Sequence, residues 1–281
     1  MLIDTHAHLN FNAFKNDADE VIRHSLAENV WMINVGSKYK TSRKAVEIAQ
    51  KYEKGVFAAI GLHPIYSTSG LVKIKTDPDE GGFEAIAEDF DEEKYKELAK
   101  SEKVVAIGEI GLDYYYKPKT KTKLSLFKET QKQVFLKQLD LAEELDLPVI
   151  FHCRMAFDDL LEILRKTKLK NPKFRGVVHC FTGNWDQAKE CLSLGFYLGF
   201  NGIIFKEIKG VDFKENIRNI PLDRILLETD CPYLTPPMAS AKRNEPLFIK
   251  HVAEEVAKIK EISFEELSRI TTENAKKLFG I

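Results

Sequence analysis

The stretch LIDTHAH, residues 2–8, opens with apolar residues and ends in an Asp-x-His-x-His pattern. Its apolar start and its threonine favour a short buried β-strand. Because alternate residues of a strand point the same way, Asp4, His6 and His8 are predicted to share one side. Two imidazoles on one side can reach a common metal ion. An isolated His-x-His pair is weak support for a metal site, so the prediction depends on whether other metal-binding side chains lie at the same end of the fold.

Segments of the same kind recur along the chain, with helical patterns between most of them. The eight predicted strands are residues 2–5, 31–35, 56–62, 104–109, 148–152, 176–179, 196–200 and 225–228. The clearest predicted helices are residues 17–29, 124–145, 158–166, 187–194, 247–259 and 264–279. Strands that alternate with helices pair in parallel, and eight such units predict an α/β fold, a (β/α)8 TIM barrel, rather than an open doubly wound sheet. At 281 residues this barrel is expected to be a single domain, residues 1–281.

Composition limits the functional classes. Lys and Arg total 42 and Asp and Glu total 43, which gives a net charge of −1. A protein that binds nucleic acid through its overall charge is usually basic, so any such contact here is expected to be local or to involve bound metal. The four cysteines form no Cys-x-x-Cys pair, no signal-peptide pattern opens the sequence, and no apolar run is long enough to span a membrane. We therefore expect a cytoplasmic protein without a membrane partner.

Side chains that can bind metal stand at the ends of six predicted strands. They are His6 and His8 on the first strand, His63 after the third, Glu109 on the fourth, His152 on the fifth, His179 on the sixth and Asp230 after the eighth. In a barrel the C-terminal strand ends converge on one mouth, so residues far apart in sequence would meet there. A mixed set of imidazoles and carboxylates can hold two divalent ions about 3.5–4 Å apart, as in two-metal hydrolytic sites.

Other residues near these strand ends allow more than one interpretation. Cys153 and Cys180 follow two of the histidines, and strand alternation predicts that they face outward and pack as small apolar groups. The aromatic residues 114–116 and Phe181 can stack on unpaired bases or simply pack at the rim. The basic run at residues 117–123 is predicted to be a solvated loop.

Seven stretches resemble the TatD family of metal-dependent hydrolases, which belongs to the amidohydrolase-like barrels. In the family's order they are IDTHAHL (3–9), GLHP (61–64), GEIGLDYY (108–115), PVIFHCR (148–154), HCFTG (179–183), ETDCPYLTP (228–236) and RNEP (243–246). They extend over nearly the whole chain, and together they are far more specific than any one of them alone.

The resemblance implies two metal sites that share a ligand. The first would use His6, His8, Glu109 and Asp230, and the second would use Glu109, His152 and His179. Magnesium, manganese and zinc are the candidate ions, because each accepts ligands from such a set.

The resemblance also implies which side chains act on the substrate. His63 would lie beside the scissile phosphate and act in catalysis together with two of the metal ligands, Asp230 and Glu109. A rim salt bridge is an equal alternative for one of the predicted substrate contacts, Arg243. The predicted substrate-binding residues are His63, Arg154, Arg243 and Asn244.

Family members are described as deoxyribonucleases that often act from the 3′ end, so the resemblance implies DNA or another nucleic acid as the substrate. Two bound ions would activate water for attack on a phosphodiester bond. The same ligands could serve an ester hydrolase, such as a D-aminoacyl-tRNA deacylase, which is the alternative. A non-catalytic barrel that binds nucleic acid or a protein is the least favoured hypothesis, because every ligand position is filled.

One segment departs from the family pattern. Residues 73–93 are long for the family and acidic around residues 77–80. We expect this segment to form a rim loop and the start of a helix. Its negative charge would repel a large polyanion, which leaves the size of the substrate open.

Overall fold

Eight parallel strands pair in chain order in the computed structural model, which describes residues 1–72, 78–80 and 88–281. The strands are β1 (Leu2–Ala7), β2 (Val30–Val35), β3 (Val56–Ile60), β4 (Val104–Asp113), β5 (Val149–Arg154), β6 (Gly176–Val178), β7 (Tyr197–Phe200) and β8 (Ile225–Leu227). The chain after β8 returns to β1, where Ala7 and Cys231 form a bridge and the Asp230 amide donates to the His6 carbonyl over 2.8 Å. This nearly closed barrel confirms the predicted TIM-barrel fold and excludes the open doubly wound sheet.

Helices follow the strands and cover the barrel. In the described residues they are α1 (Ala18–Ala27), α2 (Tyr39–Ala49), α3 (Pro64–Ser67), α4 (Glu92–Ala99), α5 (Lys121–Glu144), α6 (Phe157–Lys170), α7 (Trp185–Ser193), α8 (Phe213–Asn219), α9 (Ile249–Lys260) and α10 (Phe264–Phe279). The six predicted helices are all present, with small shifts at their ends. Across those same residues, none of the helices combines the length and the hydropathy needed to cross a membrane.

The predictions missed some elements and some boundaries. They did not include α2, α3 or α8, of which α3 and α8 are too short to display a clear helical period, and they gave only the start of α4. The predicted rim segment, residues 73–93, lies mostly outside the described residues, and α4 begins at its end. The strand β4 continues to Asp113 instead of ending at Glu109. That extension brings a second carboxylate to the mouth of the barrel.

The interior of the barrel is filled by side chains that point inward from the strands. One buried cluster contains Ile3, Ile33, Val105, Ile150 and Leu226. Phe279, at the end of α10, belongs to the same cluster. A larger apolar cluster lies between the strands and the helices. Because the apolar core fills the interior, the polar residues gather at the opposite end, where the strands terminate.

Asp4 links β1 to the segment that follows β8, at the junction where the barrel closes. We call this junction the seam. Its buried carboxylate accepts hydrogen bonds from the Thr229 amide (2.9 Å), the Thr229 hydroxyl (2.5 Å) and the His6 amide (3.1 Å). Burial raises the pKa of Asp4 to about 8. Strand alternation predicted that Asp4 would lie on the same side as His6 and His8. It turns toward β8 instead, and the pairing of β1 with β2 shifts in register between Asp4 and Ala7.

We expect Asp4→Ala to lower the free energy of unfolding by about 3 kcal/mol, because buried amide and hydroxyl donors lose their acceptor. Asp4→Asn keeps an acceptor oxygen for the two amides and is expected to cost about 1 kcal/mol or less. Urea unfolding followed by circular dichroism measures both variants. Equal losses in the two would contradict this account of the seam.

Candidate metal centre

The end of β1 brings two imidazoles together. His6 Nε2 and His8 Nε2 lie 3.1 Å apart. His8 Nδ1 lies 2.9 Å from the carbonyl oxygen of Val35, to which it can only donate. In the neutral ring this bond keeps the proton on Nδ1, so that Nε2 carries the lone pair and faces His6. A metal ligand requires a lone pair held in this way.

Glu109 is the centre of the cluster, because four imidazoles surround its carboxylate. Its Oε1 lies 2.5 Å from His152 Nδ1, 2.8 Å from His179 Nε2 and 3.6 Å from His63 Nε2. Its Oε2 lies 3.5 Å from His6 Nε2. Burial alone would raise the pKa of Glu109, but the neighbouring imidazoles outweigh it and hold the pKa well below its ordinary value. The carboxylate is therefore an anion with both oxygens directed at candidate ligands.

Asp230 completes the cluster from the loop after β8. Its Oδ1 lies 3.3 Å from His8 Nε2 and 3.8 Å from His6 Nε2. Its backbone has a positive φ of 58°, which aspartate tolerates better than most residues. Burial raises the pKa of Asp230, but the hydrogen bond from His8 and the nearby imidazoles lower it by more. Its side chain is 16% exposed against 7% for Glu109, so Asp230 is the more accessible carboxylate.

These residues fit a metal ion by geometry and by chemistry. Each of two groups offers three ligand atoms within 4.8 Å of one another, and both groups contain His6. They are His6, Glu109 and His179, and His6, His8 and Asp230. Burial, and then the neighbouring His179, lowers the pKa of His6, so its ring is neutral and able to donate a lone pair. Imidazoles beside ionised carboxylates form a donor set that suits a divalent ion.

His63 borders the cluster with a defined tautomer. Its Nδ1 accepts a hydrogen bond from the Ile65 amide over 3.1 Å, at the start of α3. Its Nε2, which then carries the proton in the neutral ring, lies 3.6 Å from Glu109 Oε1. Burial, followed by the charge of His152, lowers the pKa of His63 to about 3. His63 is therefore placed to donate a hydrogen bond as a neutral imidazole.

The structure adds Asp113, which the sequence patterns did not single out. Its Oδ2 lies 3.1 Å from His152 Nε2, while Glu109 contacts the other ring nitrogen. Burial disfavours a charged imidazole, but Glu109 and Asp113 outweigh it and raise the pKa of His152 to about 9. His63, Asp113 and His152 form a third potential metal-binding group. The spacing held a signal, since Glu109 and Asp113 are four residues apart on β4, but that strand was predicted to end too early.

The three other predicted substrate contacts lie in different surroundings. The Arg154 side chain is exposed and lines the mouth, with its guanidinium 3.6 Å from the centre of the Tyr115 ring. Arg243 is held by Asp17 and Glu245 at 2.8 Å each, which is the rim salt bridge of the alternative interpretation. Direct contact of Arg243 with substrate stays a prediction.

Asn244 supports the loop that carries Asp230. It is fully buried, and its amide donates to the carbonyl oxygens of Thr229 (2.9 Å) and Tyr233 (2.7 Å), on either side of Asp230. Its predicted contact with substrate also stays a prediction. The bonds themselves indicate that Asn244 acts through the shape of this loop.

The two cysteines beside the histidines differ from each other. Cys153 is buried in the apolar core, as predicted, although it also borders the cavity at the mouth. The prediction for Cys180 was wrong, because this residue lies at the mouth rather than facing outward. The strand β6 ends at Val178, and the positive φ of 44° at Cys180 breaks the alternation on which the prediction rested. Burial raises the pKa of its thiol to about 12, so it is a poor source of thiolate.

The cluster lies at the floor of an open cavity of about 800 Å³ at the barrel mouth. His63, Glu109, His152 and Asp230 line its floor, and Tyr115 and Arg154 line its side. Imidazole and carboxylate groups at the C-terminal mouth of a parallel barrel define a class of protein, the metal-dependent hydrolases of the TIM-barrel fold.

Comparison with known proteins agrees with this class over the whole chain. Residues 3–280 match the model of the family described as TatD related DNase. An uncharacterized metal-dependent hydrolase, YabD of Bacillus subtilis strain 168, is 43% identical with 100% of both chains covered. The 3′-5′ ssDNA/RNA exonuclease TatD of Klebsiella pneumoniae strain 342 is 34% identical over 100% of this chain and 98% of its own.

A solved structure agrees as well. The TatD homologue YJJV from Escherichia coli K12 superposes with a TM-score of 0.80 at 27% identity, covering 100% of this chain and 98% of that one. The chain belongs to the TatD family of metal-dependent hydrolases, which confirms the family expected from its motifs.

Asp113 provides a test of the metal centre that does not depend on a substrate. A carboxylate behind a ligating histidine orients the ring, and its loss weakens metal binding by about 10- to 100-fold. We expect Asp113→Asn to weaken one manganese or zinc site by that factor, measured by isothermal titration calorimetry. The exposed Asp186→Asn is the matched control and should bind as the wild type does. Unchanged affinity in Asp113→Asn would contradict a role for Asp113 behind His152.

Proposed function

We propose that this enzyme hydrolyses phosphodiester bonds of single-stranded nucleic acid, acting from the 3′ end. The observation that carries the proposal is the Glu109 carboxylate, which touches both candidate ligand groups at once. A shared carboxylate is typical of sites that hold two ions on one phosphate. The relatives named as 3′-5′ ssDNA/RNA exonucleases match over their full length, which supports the substrate class.

The proposed ligands follow from the distances within the cluster. One ion would be held by His6, His8, Glu109 and Asp230, and the other by Glu109, His152 and His179. The high share of imidazole favours zinc or manganese over magnesium, which prefers oxygen ligands. When bound, two such ions lower the pKa of a coordinated water from about 15.7 toward 7 and offset charge on the phosphate.

The protein's own side chains then move and hold protons. Asp230, ionised and the more accessible of the two carboxylates, accepts the proton of the attacking water. His63 donates its Nε2–H to an oxygen of the phosphate, because its Nδ1 is already occupied by the Ile65 amide. Arg154 is exposed at the mouth and positioned to neutralise a neighbouring phosphate.

The other hypotheses receive less support. An aminoacyl-ester hydrolase would need the same ligands, but the names of the relatives do not point to it. A non-catalytic barrel would be expected to lack some ligands, whereas all six proposed positions carry imidazole or carboxylate groups.

We further propose that residues 1–281 act as one catalytic domain. The four free cysteines agree with the reducing conditions of the cytoplasm.

The direct test uses metal-stripped protein and single-stranded DNA labelled at its 5′ end. We expect no cleavage without metal, and a ladder of stepwise shortening when manganese, zinc or magnesium is added. Asp230→Asn should abolish the ladder. A D-aminoacyl-tRNA substrate is assayed in parallel. Deacylation without any DNA cleavage would overturn the nuclease proposal and leave the metal centre intact.

The role of His63 is tested by His63→Asn, which keeps an acceptor for the Ile65 amide but shortens the donor. We expect kcat to fall by about a hundredfold or more, with metal affinity within twofold of the wild type. His251→Asn, on the outer helix α9, is the control. A loss of metal binding that parallels the loss of kcat would show that His63 is a ligand instead.

A further inference from the structure

The segment from Tyr114 to Lys123, which joins β4 to the first turn of α5, carries a dense group of positive charge. We call residues 114–123 the basic loop. It reads YYYKPKTKTK, with four lysines and no acidic residue. Because it follows the C-terminal end of β4, it lies at the barrel mouth rather than on the opposite face. The sequence alone predicted a solvated loop at residues 117–123, which was wrong for residues 121–123, because they form the first turn of α5.

The lysines of the basic loop are exposed and lack protein partners. They are Lys117, Lys119, Lys121 and Lys123. Within the part of the chain that the structure describes, none of their ammonium groups forms an ion pair. Further along α5, by contrast, Lys128 and Lys132 both pair with Asp159. Four like charges without counterions repel one another, so they do not stabilise the fold.

The loop that presents these lysines is anchored. The Tyr114 hydroxyl donates to Asp159 over 2.8 Å, and the Tyr115 amide donates to Asp113 over 2.8 Å. Pro118, between two of the lysines, is buried. The backbone that carries the lysines is therefore fixed at residues 114, 115 and 118, next to the cavity that Tyr115 and Tyr116 line.

Two tyrosines connect the lysines to the metal centre. Tyr115 and Tyr116 are 47% and 49% exposed and line the same cavity as His63 and His152. Their rings meet edge to face at 4.7 Å, and Arg154 stacks on Tyr115. The other aromatic residues considered at the sequence level, Tyr114 and Phe181, are buried. Exposed aromatic faces flanked by cations are the surface on which unpaired bases stack.

The charge around the mouth is asymmetric. Glu80, from the acidic segment between β3 and α4, lines the cavity and accepts a hydrogen bond from the Ser37 hydroxyl. Lys209 also lines the cavity and is exposed. A polyanion at the mouth is therefore repelled near Glu80 and attracted near the exposed lysines.

We propose that the basic loop carries the part of a single-stranded polynucleotide that extends beyond the cleaved linkage. Bases stack on Tyr115 and Tyr116, and the phosphates that follow lie against the four lysines. This inference rests on the proposed nuclease function and adds to it a preference for long strands over short ones. The surface contacts phosphates and base faces, so it serves DNA and RNA alike.

The test compares two variants with the same change in charge. The loop variant is K117Q/K119Q/K121Q/K123Q. The control variant is K51Q/K54Q/K173Q/K277Q, whose lysines are exposed and lie on the opposite face or near the end of α10. Each metal-loaded enzyme is assayed on a 20-nucleotide oligo-dT and on a dinucleotide, over a range of salt concentrations.

We expect the loop variant to lose at least tenfold in kcat/KM on the 20-mer at low salt, mainly through KM. The slope of log kcat/KM against log salt should become shallower by about 0.7 for each phosphate contact that is lost. Activity on the dinucleotide should stay within twofold of the wild type. The control variant should match the wild type on both substrates. An equal loss in both variants, or no loss in either, would overturn the proposal.

Binding separates this inference from the proposed function. A phosphorothioate oligo-dT keeps its charges and resists hydrolysis, and fluorescence anisotropy measures its affinity. Suppose that the wild type binds this oligonucleotide and that the loop variant binds it at least tenfold more weakly. The basic loop is then a binding surface for single strands, even if the enzyme does not hydrolyse DNA. If both proteins bind the oligonucleotide equally and the wild type cleaves DNA, the proposed binding role of the basic loop is wrong and the nuclease function is retained.

Replacing the tyrosines tests the stacking step. Y115L/Y116L is expected to weaken binding of the single strand at least tenfold, because each stacked base contributes about 1–3 kcal/mol. Binding of a duplex of the same length should change less than twofold, since its bases are already stacked. Equal losses for single strand and duplex would contradict stacking on these two residues.

Discussion

The Glu109 carboxylate is the group on which the rest of the site depends. It is buried, ionised and within 4 Å of four imidazoles that arrive from the ends of four different strands. An isolated buried carboxylate would be costly, so it persists only with positive charge or strong donors around it. Closure of the barrel supplies those neighbours. Two divalent ions would supply the remaining positive charge. The reaction would then take place beside the same carboxylate.

The turns that follow the strands set the directions of the other side chains at the barrel mouth. Met155, Cys180 and Asp230 all have a positive φ within three residues of the end of a strand, which is uncommon outside glycine. Such conformations cost free energy and persist where the surrounding structure fixes them, often at functional sites. Here the buried Asn244 holds the carbonyls on both sides of Asp230. Asp4 forms hydrogen bonds at the seam next to this loop. The buried hydrogen bonds of Asn244 and Asp4 therefore offset the free-energy cost of the positive φ values.

A nearly neutral protein can act on a polyanion if its charges are separated in space. Glu80 lines the cavity, and the lysines of the basic loop follow Tyr115 and Tyr116, which line it too. Opposite charges cancel in the total of −1, but each acts locally, because charges are screened beyond about 8–10 Å.

The sequence by itself determined the eight strands, the barrel and the candidate metal ligands at the strand ends, because hydrophobic periodicity and residue chemistry are local properties of the chain. Only the tertiary structure decided that Asp113 stands behind His152, that Cys180 turns to the mouth, and that Arg243 pairs with Asp17. It also decided that the exposed lysines of the basic loop follow two tyrosines that line the cavity. These facts depend on strand length, on a positive φ and on contacts between segments far apart in sequence. Such contacts form when the barrel closes, so no local pattern encodes them.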